Sequence, residues 1–342
     1  MKKAQLCLIG FGYWGPKLAR AISLAHNAEL FCIVESNRLV HQEIRESYPK
    51  VEIYESLEEI RFIKQISGVV IATPPATHVG LASKCLEFGM SVLVEKPLAM
   101  TTKEAIEIKL IAEKLGLIAM PAHTFLFNPA IIWAKEFIDL GNVGEILYLY
   151  GQRLNLGQIR HDVDVLWSLA PHDVSIFDYI IGERADSVSA TGSSNLQNGI
   201  NDVAFLSLNY PRNIKAHTHV SWLDPSKTRK VTIVGTRKMI EIDDTSINAP
   251  VRVFDKSAYL VRDPSDSFAS FKYQVHSGEV VTPSIVQKEP LLCEIEDFAS
   301  AIISKTIPKT NMDDAISVAA VLNAASSSIR NSGLDMRVEY EN

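Results

Sequence analysis

The sequence lacks several features that would identify a class of protein at once. Its four cysteines, Cys7, Cys32, Cys85 and Cys293, lie far apart and form no CxxC pair, which indicates free thiols in a reducing, cytoplasmic compartment. No apolar run reaches the length of a membrane span, and the lysine-led N-terminal stretch has no cleavage site typical of a signal peptide. Excess positive charge is missing too, since the net charge of −6 argues against a nucleic-acid partner. We therefore expect a globular protein that binds neither membrane nor nucleic acid.

What the sequence does contain is an alternation of short apolar runs with helical patterns. The runs AQLCLIG, ELFCIV, GVVIAT, SVLVEKP and LIAMPAH are typical of buried parallel strands, and the helical stretches between them predict an N-terminal Rossmann domain with a doubly wound sheet over residues 1–122. From residue 145 onwards strands follow with little helix between them, which predicts a C-terminal α/β domain with a mostly antiparallel sheet over residues 123–342. Two helical stretches, 291–303 and 312–329, end the chain, and we expect that they can pack back on the Rossmann domain.

A glycine motif, GFGYWG, stands between the first strand and the first helix. Gly10, Gly12 and Gly15 form the G-x-G-x-x-G pattern that lets a backbone turn sharply and approach a pyrophosphate at a helix N-terminus. Tyr13 and Trp14 lie inside the turn and pack either over the cofactor or against the helix. The position within a strand–turn–helix unit predicts dinucleotide binding.

The end of the second strand bears on which dinucleotide is bound. Glu35 lies twenty residues after Gly15, where an acid hydrogen-bonds the ribose hydroxyls of the cofactor and repels a 2′-phosphate. Arg38 complicates this reading, because an arginine nearby can accommodate that phosphate. We predict NAD as the cofactor, with NADP as the less favoured alternative.

Two further stretches follow the fourth and fifth strands, at the edge of the sheet where ligands bind. IATPPATH supplies Thr73, Pro74 and His78, and LVEKPLAM supplies Glu95 and Lys96. All five are candidate cofactor-binding residues. Lys96 is either an exposed surface lysine or a functional cation of the binding site.

The stretch LWSLAPHDVSIFDYIIG carries a His–Asp pair behind a proline. Pro171 suits the first position of a helix, and Gly182 ends the pattern. This places His172 in the first turn, where the helix dipole disfavours the imidazolium, so the ring stays neutral and can accept a proton. His172 is therefore either a packing histidine or a catalytic base.

These motifs together resemble the Gfo/Idh/MocA family of sugar and cyclitol oxidoreductases along nearly the whole chain. EKP after the fifth strand is the most specific of them. The resemblance implies that Lys96 and His172 meet at the nicotinamide as catalytic residues and that the Lys96–Pro97 bond is cis. It also implies a homo-oligomer, a dimer or tetramer, formed through the large open sheet of the second domain.

The second domain resembles a subgroup that acts on nucleotide-linked sugars. RLNLGQIRHDVDVLWSLAPHD resembles UDP-N-acetylglucosamine 3-dehydrogenases, which make a keto sugar for a partner aminotransferase. One departure is Ser168, because the family usually has an aspartate four residues before the histidine; Asp162 and Asp164 are candidate replacements. Arg153, Asn155, Arg160 and Ser168 are candidate substrate-binding residues, or ordinary polar residues of a strand and loop.

The resemblance and the residues together predict an NAD-dependent dehydrogenase for a sugar nucleotide. His172 takes the proton of a secondary hydroxyl, and Lys96 stabilises the developing alkoxide. The alternatives are an inositol or free-sugar dehydrogenase of the same family and a non-catalytic NAD-binding regulator. No metal site is expected, since His217 and His219 share a strand face without a third ligand near them in sequence.

Overall fold

The chain forms two compact units in a computed structural model that describes residues 3–157, 159–262 and 271–341. Unit 1 comprises Met1–Phe127, Lys288–Asn323 and Glu339–Asn342, and unit 2 comprises Asn128–Gln287 and Ala324–Val338. Unit 1 is therefore discontinuous in sequence: a segment from the last sixth of the chain belongs to the same body as the first 127 residues.

Unit 1 is built on a six-stranded parallel sheet. Its strands are β1 (Ala4–Ile9), β2 (Ala28–Val34), β3 (Glu52–Tyr54), β4 (Gly68–Ile71), β5 (Ser91–Val94) and β6 (Ala119–Pro121). They lie in the order β3-β2-β1-β4-β5-β6, and each neighbouring pair is parallel. The strand order reverses between β1 and β4, and the crevice at such a reversal is where doubly wound sheets bind ligands. The predicted Rossmann fold is confirmed.

Helices cover both faces of this sheet. They are α1 (Gly15–Leu24), α2 (His41–Ser47), α3 (His78–Glu87), α4 (Thr102–Leu115) and α7 (Pro290–Ser304). Successive residues of β1 alternate between two apolar layers: Leu8 joins the layer formed with α1 and α7, and Cys7 joins the layer formed with α3 and α4. This alternation follows from the two-residue period of a strand, and it explains why the strands are apolar throughout.

Unit 2 is built on a nine-stranded sheet. Its strands are β7 (Ile146–Leu154), β8 (Ser187–Ser193), β9 (Val203–Asn209), β10 (Lys215–Ser221), β11 (Thr228–Gly235), β12 (Met239–Asp243), β13 (Val251–Arg262), β14 (Phe271–Val281) and β15 (Met336–Arg337). The order is β14-β13-β12-β11-β7-β10-β9-β8-β15, and β7 and β10 are parallel in an otherwise antiparallel sheet. The mostly antiparallel character is as predicted.

Unit 2 also contains α5 (Pro129–Asp139) and α6 (Val165–Ile181), and the last helix, α8 (Met312–Arg330), has residues in both units. Helix α6 packs on β7, β9 and β10. Its Val174, Phe177 and Ile181 are buried, as their helical spacing predicts. Gly182 ends the helix in the left-handed region with φ of 76°, a conformation that glycine adopts without steric cost.

The structure shows the state of the cysteines and the length of the apolar helices. All four cysteines carry free thiols, and burial raises the pKa of Cys85 to about 12, so this thiol is unreactive at neutral pH. Among the helices of the described residues, none is both long enough and apolar enough to cross a bilayer.

Candidate active site

The glycine turn after β1 forms a cradle for a phosphate group. Gly10 has φ of 94°, and a Cβ there would lie 2.8 Å from the carbonyl oxygen of Ala72. A Cβ on Gly15 would lie 2.6 Å from the carbonyl oxygen of Gly10, whereas one on Gly12 would meet nothing within 4 Å. Two glycines are therefore needed for close packing, and the third leaves open space next to the start of α1. No side chain caps that helix, so its first N–H groups suit a pyrophosphate. The turn fits a dinucleotide.

Tyr13 and Trp14, inside the glycine turn, pack against each other. Tyr13 is 75% exposed, and its ring stacks on that of Trp14 at a centroid distance of 6.3 Å. The ammonium of Lys17 lies over both rings, 3.8 Å from the centroid of Tyr13 and 4.2 Å from that of Trp14. The two aromatic rings therefore hold the Lys17 ammonium at the first turn of α1.

Glu35 braces the glycine turn from the end of β2. Its Oε2 accepts a hydrogen bond from the backbone N–H of Phe11 at 2.6 Å, and its Oε1 accepts one from Asn37 at 2.7 Å. Arg38 does not pair with Glu35 and instead forms an ion pair with Glu55. Replacing Glu35 would therefore remove two hydrogen bonds that hold the turn.

The turns after β4 and β5 are tied together by His78. The two ring nitrogens of this buried histidine lie 2.9 Å from the carbonyl oxygen of Pro97 and 2.8 Å from that of Thr73. His78, which is 1% exposed, therefore connects the turn after β4 with the turn after β5. Pro74 lies between the two threonines of this turn, Thr73 and Thr77, whose hydroxyl oxygens lie 2.6 Å apart.

Lys96 follows β5 at the carboxyl edge of the sheet and is half-buried. Its backbone N–H donates to the Oε2 of Glu95 at 3.2 Å, and the Lys96–Pro97 bond is cis, as the resemblance implied. Because β1, β4 and β5 are neighbours in the sheet, their ends place Gly10, Thr73 and Lys96 along one edge. The sequence-predicted residues of unit 1 are thus brought to one side of its sheet.

In unit 2, the expectation that His172 stands at the start of a helix is wrong. Helix α6 begins at Val165, and Asp164 caps it by accepting a hydrogen bond from the backbone N–H of Trp167 at 3.1 Å. Pro171 therefore lies inside the helix, and its intrinsic cost there is offset by the burial of most of α6. The dipole argument for a neutral His172 does not apply, since His172 lies two turns inside the helix.

The residue after His172 anchors α6 to the sheet. Asp173 is fully buried, and its Oδ1 accepts hydrogen bonds from Nε and Nη2 of Arg153 at 3.1 and 2.8 Å. Its Oδ2 accepts one from the hydroxyl of Thr218 at 2.7 Å. Arg153 on β7 and Thr218 on β10 thus hold the helix that carries His172. This pairing favours a structural role for Arg153 over contact with substrate.

The other substrate-side candidates are placed separately. Ser168 is buried on α6, one helical turn before His172, where residues four apart share a face. Arg160 pairs with Asp162, while Asp164 caps α6, so both candidate replacements for the family aspartate have other partners. Asn155 follows β7 and donates its backbone N–H to the carbonyl of Ser221 at 3.1 Å.

The face of the unit 2 sheet that carries His217 and His219 is aromatic and exposed. Phe205 stacks on His219 at 4.3 Å, and Tyr148 stacks on Tyr150 at 6.5 Å. In the register of the sheet His217 lies beside Tyr150, so these side chains form one continuous surface, the aromatic face. On this face His219 packs against an aromatic ring, and His217 lies next to Tyr150 in the register of the sheet. In the part of the chain that is described, no group of three His, Cys, Asp or Glu side chains is placed to hold a metal ion.

Both halves of the chain match models of one protein family. Residues 5–123 match the oxidoreductase family with an NAD-binding Rossmann fold, and residues 131–241 match the GFO/IDH/MocA C-terminal domain. The chain belongs to the Gfo/Idh/MocA oxidoreductase family. The NAD-binding match agrees with the cradle at Gly12.

Relatives within the Gfo/Idh/MocA family act on different molecules. The chain is 20% identical over 308 residues to the 2,7-anhydro-N-acetylneuraminate hydratase of Mediterraneibacter gnavus, covering 85% of this chain and 80% of that one. It is 31% identical to the scyllo-inositol 2-dehydrogenase (NAD(+)) of Bacillus subtilis over 144 residues, 41% of each chain. The UDP-N-acetylglucosamine 3-dehydrogenase of Acidithiobacillus ferrooxidans has a similar structure, with a TM-score of 0.80 and 20% identity over 97% of this chain and 99% of that one. At that identity the structural likeness shows the fold alone.

Two buried titratable residues of this Gfo/Idh/MocA protein were missed by sequence reasoning. Glu294 on α7 is fully buried, and its Oε2 accepts a hydrogen bond from the hydroxyl of Thr124 at 2.8 Å. Burial, reinforced by the charge of Glu95, raises the pKa of Glu294 well above its usual range. The signal was a glutamate on the apolar stripe of a helix, between Leu291 and Phe298.

The second missed residue is His123, directly after β6. Neither of its ring nitrogens has a hydrogen-bond partner among the described residues, and the side chain is 3% exposed. Burial lowers the pKa of His123 to about 4, so the ring is neutral at pH 7. Nothing in the sequence pattern marked it, because a histidine after a strand is usually exposed.

Proposed function

We propose that the protein oxidises a secondary hydroxyl of a nucleotide-linked sugar, the 3-hydroxyl of a UDP-N-acetylhexosamine, to a ketone with NAD. Membership of the family over both units supports an NAD-binding oxidoreductase. The observation that carries the proposal is the position of Lys96, which lies at the same edge of the sheet as the glycine cradle at Gly12. A cation at that edge suits the oxygen of a substrate that faces the nicotinamide.

The roles of the protein residues follow from their chemistry. His172 accepts the hydroxyl proton, and the Lys96 ammonium donates a hydrogen bond to the same oxygen as negative charge develops on it. Bound NAD supplies the acceptor for the hydride that leaves the carbon. The ion pair between Arg153 and Asp173 holds the helix of His172, so that the proton acceptor keeps a fixed direction.

The substrate and partner assignments are part of the same proposal. Asn155, Arg160 and Ser168 are the residues that we assign to the sugar or its diphosphate, with arginine suited to a phosphate oxygen. The aromatic face is assigned to a homo-oligomer interface, since contiguous exposed apolar surface of this kind marks interfaces. An aminotransferase would consume the keto sugar.

A second candidate, an inositol dehydrogenase, is favoured by the similarity to the Bacillus subtilis enzyme. That similarity covers 41% of the chain, so it bears on part of the protein only. The test is to incubate purified protein with NAD and separate panels of UDP-N-acetylhexosamines, inositols and free hexoses, and to follow NADH by absorbance. Turnover with the UDP-sugars alone supports the proposal. Faster turnover with an inositol would replace it, and NAD binding without any turnover would favour a regulator.

Two substitutions test the assigned roles. Lys96→Met and His172→Asn should each lower kcat by about 10²-fold or more, because each removes a group that acts on the reacting oxygen. NAD affinity, measured by calorimetry, should change little. Lys84→Met and His161→Asn are matched controls at exposed surface positions and should keep wild-type turnover. Near-normal kcat in Lys96→Met with reduced stability would make Lys96 structural.

A further inference from the structure

Two carboxylates lie at adjoining strand ends in unit 1. Glu35 is the first residue after β2, and Glu55 is the first residue after β3. The strands are parallel and in register, with Val34 beside Tyr54, and the backbone N–H of Glu35 donates to the carbonyl of Tyr54 at 2.9 Å. Both acids therefore lie at the edge of the sheet where the ribose of a dinucleotide binds.

Glu55 holds the arginine that follows β2. Nε of Arg38 lies 2.6 Å from Oε1 of Glu55, and Nη2 of Arg38 donates to Oε2 at 3.0 Å. A guanidinium that meets both oxygens of a carboxylate uses the same face that it would present to a phosphate. Glu55 is in turn positioned by Glu59, whose Oε2 accepts from the backbone N–H of Glu55 at 3.1 Å.

We propose that Glu55 determines cofactor specificity by holding Arg38 in this pair, which keeps the arginine from a 2′-phosphate and favours NAD over NADP. The inference rests on the cofactor part of the proposed function and extends it to a residue outside the glycine turn. Glu35 then supplies a negative charge after β2, and the nearby cation, Arg38, is already neutralised by Glu55. Because the Arg38 side chain is 77% exposed, it is free to turn towards a phosphate once Glu55 no longer binds it.

The test is a titration of NADH and NADPH by calorimetry into wild type, Glu55→Gln, Arg38→Ala and the double variant. Glu55→Gln keeps the size of the side chain and removes its charge. It should raise NADPH affinity about fivefold, the scale of an exposed ion pair, and leave NADH affinity unchanged. In the double variant the gain should vanish, because it depends on a released Arg38. High salt should reduce it.

The control is Glu58→Gln, which removes the same charge from the exposed Glu58–Lys84 pair of unit 1. NADH binding by every variant shows that it is folded. The proposal is overturned if Glu55→Gln gives no gain, if the gain persists without Arg38, or if Glu58→Gln gives the same gain. Because no sugar is present, an enzyme inactive on every sugar would sink the proposed reaction and leave this inference standing, while a wild type that binds neither cofactor would sink both.

Discussion

Asp173 in unit 2 differs from Glu294 and His123 in unit 1 in how a buried titratable side chain is accommodated. In unit 2 the fully buried Asp173 is paired with Arg153 and hydrogen-bonded to Thr218. In unit 1 Glu294 has one buried oxygen without a partner among the described residues, and His123 has two such nitrogens. Burial without a counter-charge favours the neutral form, so the pKa of Glu294 is raised and that of His123 is lowered.

A buried ion pair and a buried group without a counter-charge have different effects on the protein. A paired charge fixes a direction, since the two-pronged contact between Arg153 and Asp173 orients α6 on its sheet. A neutral buried group fixes no direction and instead makes stability depend on pH, because the unfolded chain ionises normally. The Arg153–Asp173 ion pair thus orients α6 in unit 2. Glu294 and His123 instead make the stability of unit 1 depend on pH.

The largest expected effect on stability comes from breaking the buried Arg153–Asp173 ion pair in unit 2. Asp173→Asn removes the buried carboxylate that accepts two hydrogen bonds from Arg153 and one from Thr218, which should lower the free energy of unfolding by about 3–5 kcal/mol. Denaturant unfolding measures this. The control, Asp139→Asn, removes one partner of the exposed Lys135–Asp139 pair and should cost less than about 1 kcal/mol. Equal losses in the two variants would show that the buried pair has no special weight.

A somewhat smaller effect on stability is expected from the buried, neutral His123 of unit 1. The pKa of His123 is about 4 in the folded protein and about 6.5 when unfolded, so the unfolded state binds more protons between these values. The stability is complete above pH 6.5 and falls towards pH 4, by up to about 3 kcal/mol from this residue. His123→Gln should flatten this decline in unfolding curves measured from pH 4 to 8.

The exposed His161 provides the control for that measurement. His161→Gln should keep the wild-type decline, because it replaces an exposed histidine and leaves the buried His123 in place. A decline that is the same in wild type and His123→Gln would mean that His123 takes up its proton in the folded protein, and unit 1 would then resemble unit 2.

The smallest effect comes from adding a carboxylate to unit 2. Ser168→Asp places a charge one turn from His172 on α6, where it stabilises the imidazolium if it stays ionised. Since the proposed base must be neutral, the acidic limb of kcat/KM should move to higher pH by about one unit. Ser168→Asn is the uncharged control. A limb that stays in place would show that residue 168 does not act on the base or that His172 is not the base.

Much of unit 1 could be predicted because its site is made by the backbone. Gly10 and Gly15 are required because a Cβ at either position would lie too close to backbone atoms. The apolar composition of the strands indicates that they are buried. Both the glycine motif and the parallel sheet could therefore be predicted from the sequence. The start of α6 was not, because Pro171 suits a first turn and the competing cap, Asp164, gave a weaker signal. The role of Asp173 depends on β7 and β10, which lie far away in sequence, and no local pattern records such a pairing.

The discontinuity of unit 1 has a consequence for how the chain is made. Helix α7 supplies Leu291, Ile295 and Phe298 to the layer that also contains Leu8, and a Cβ on Gly68 would lie 2.6 Å from Ile302, so β4 is shaped to receive this helix. A ribosome delivers residues 1–127 long before α7 emerges. Until then α1 packs on that face of the nascent Rossmann sheet, and the part that α7 covers stays exposed. A product truncated before α7 would expose this apolar surface to aggregation or to chaperones.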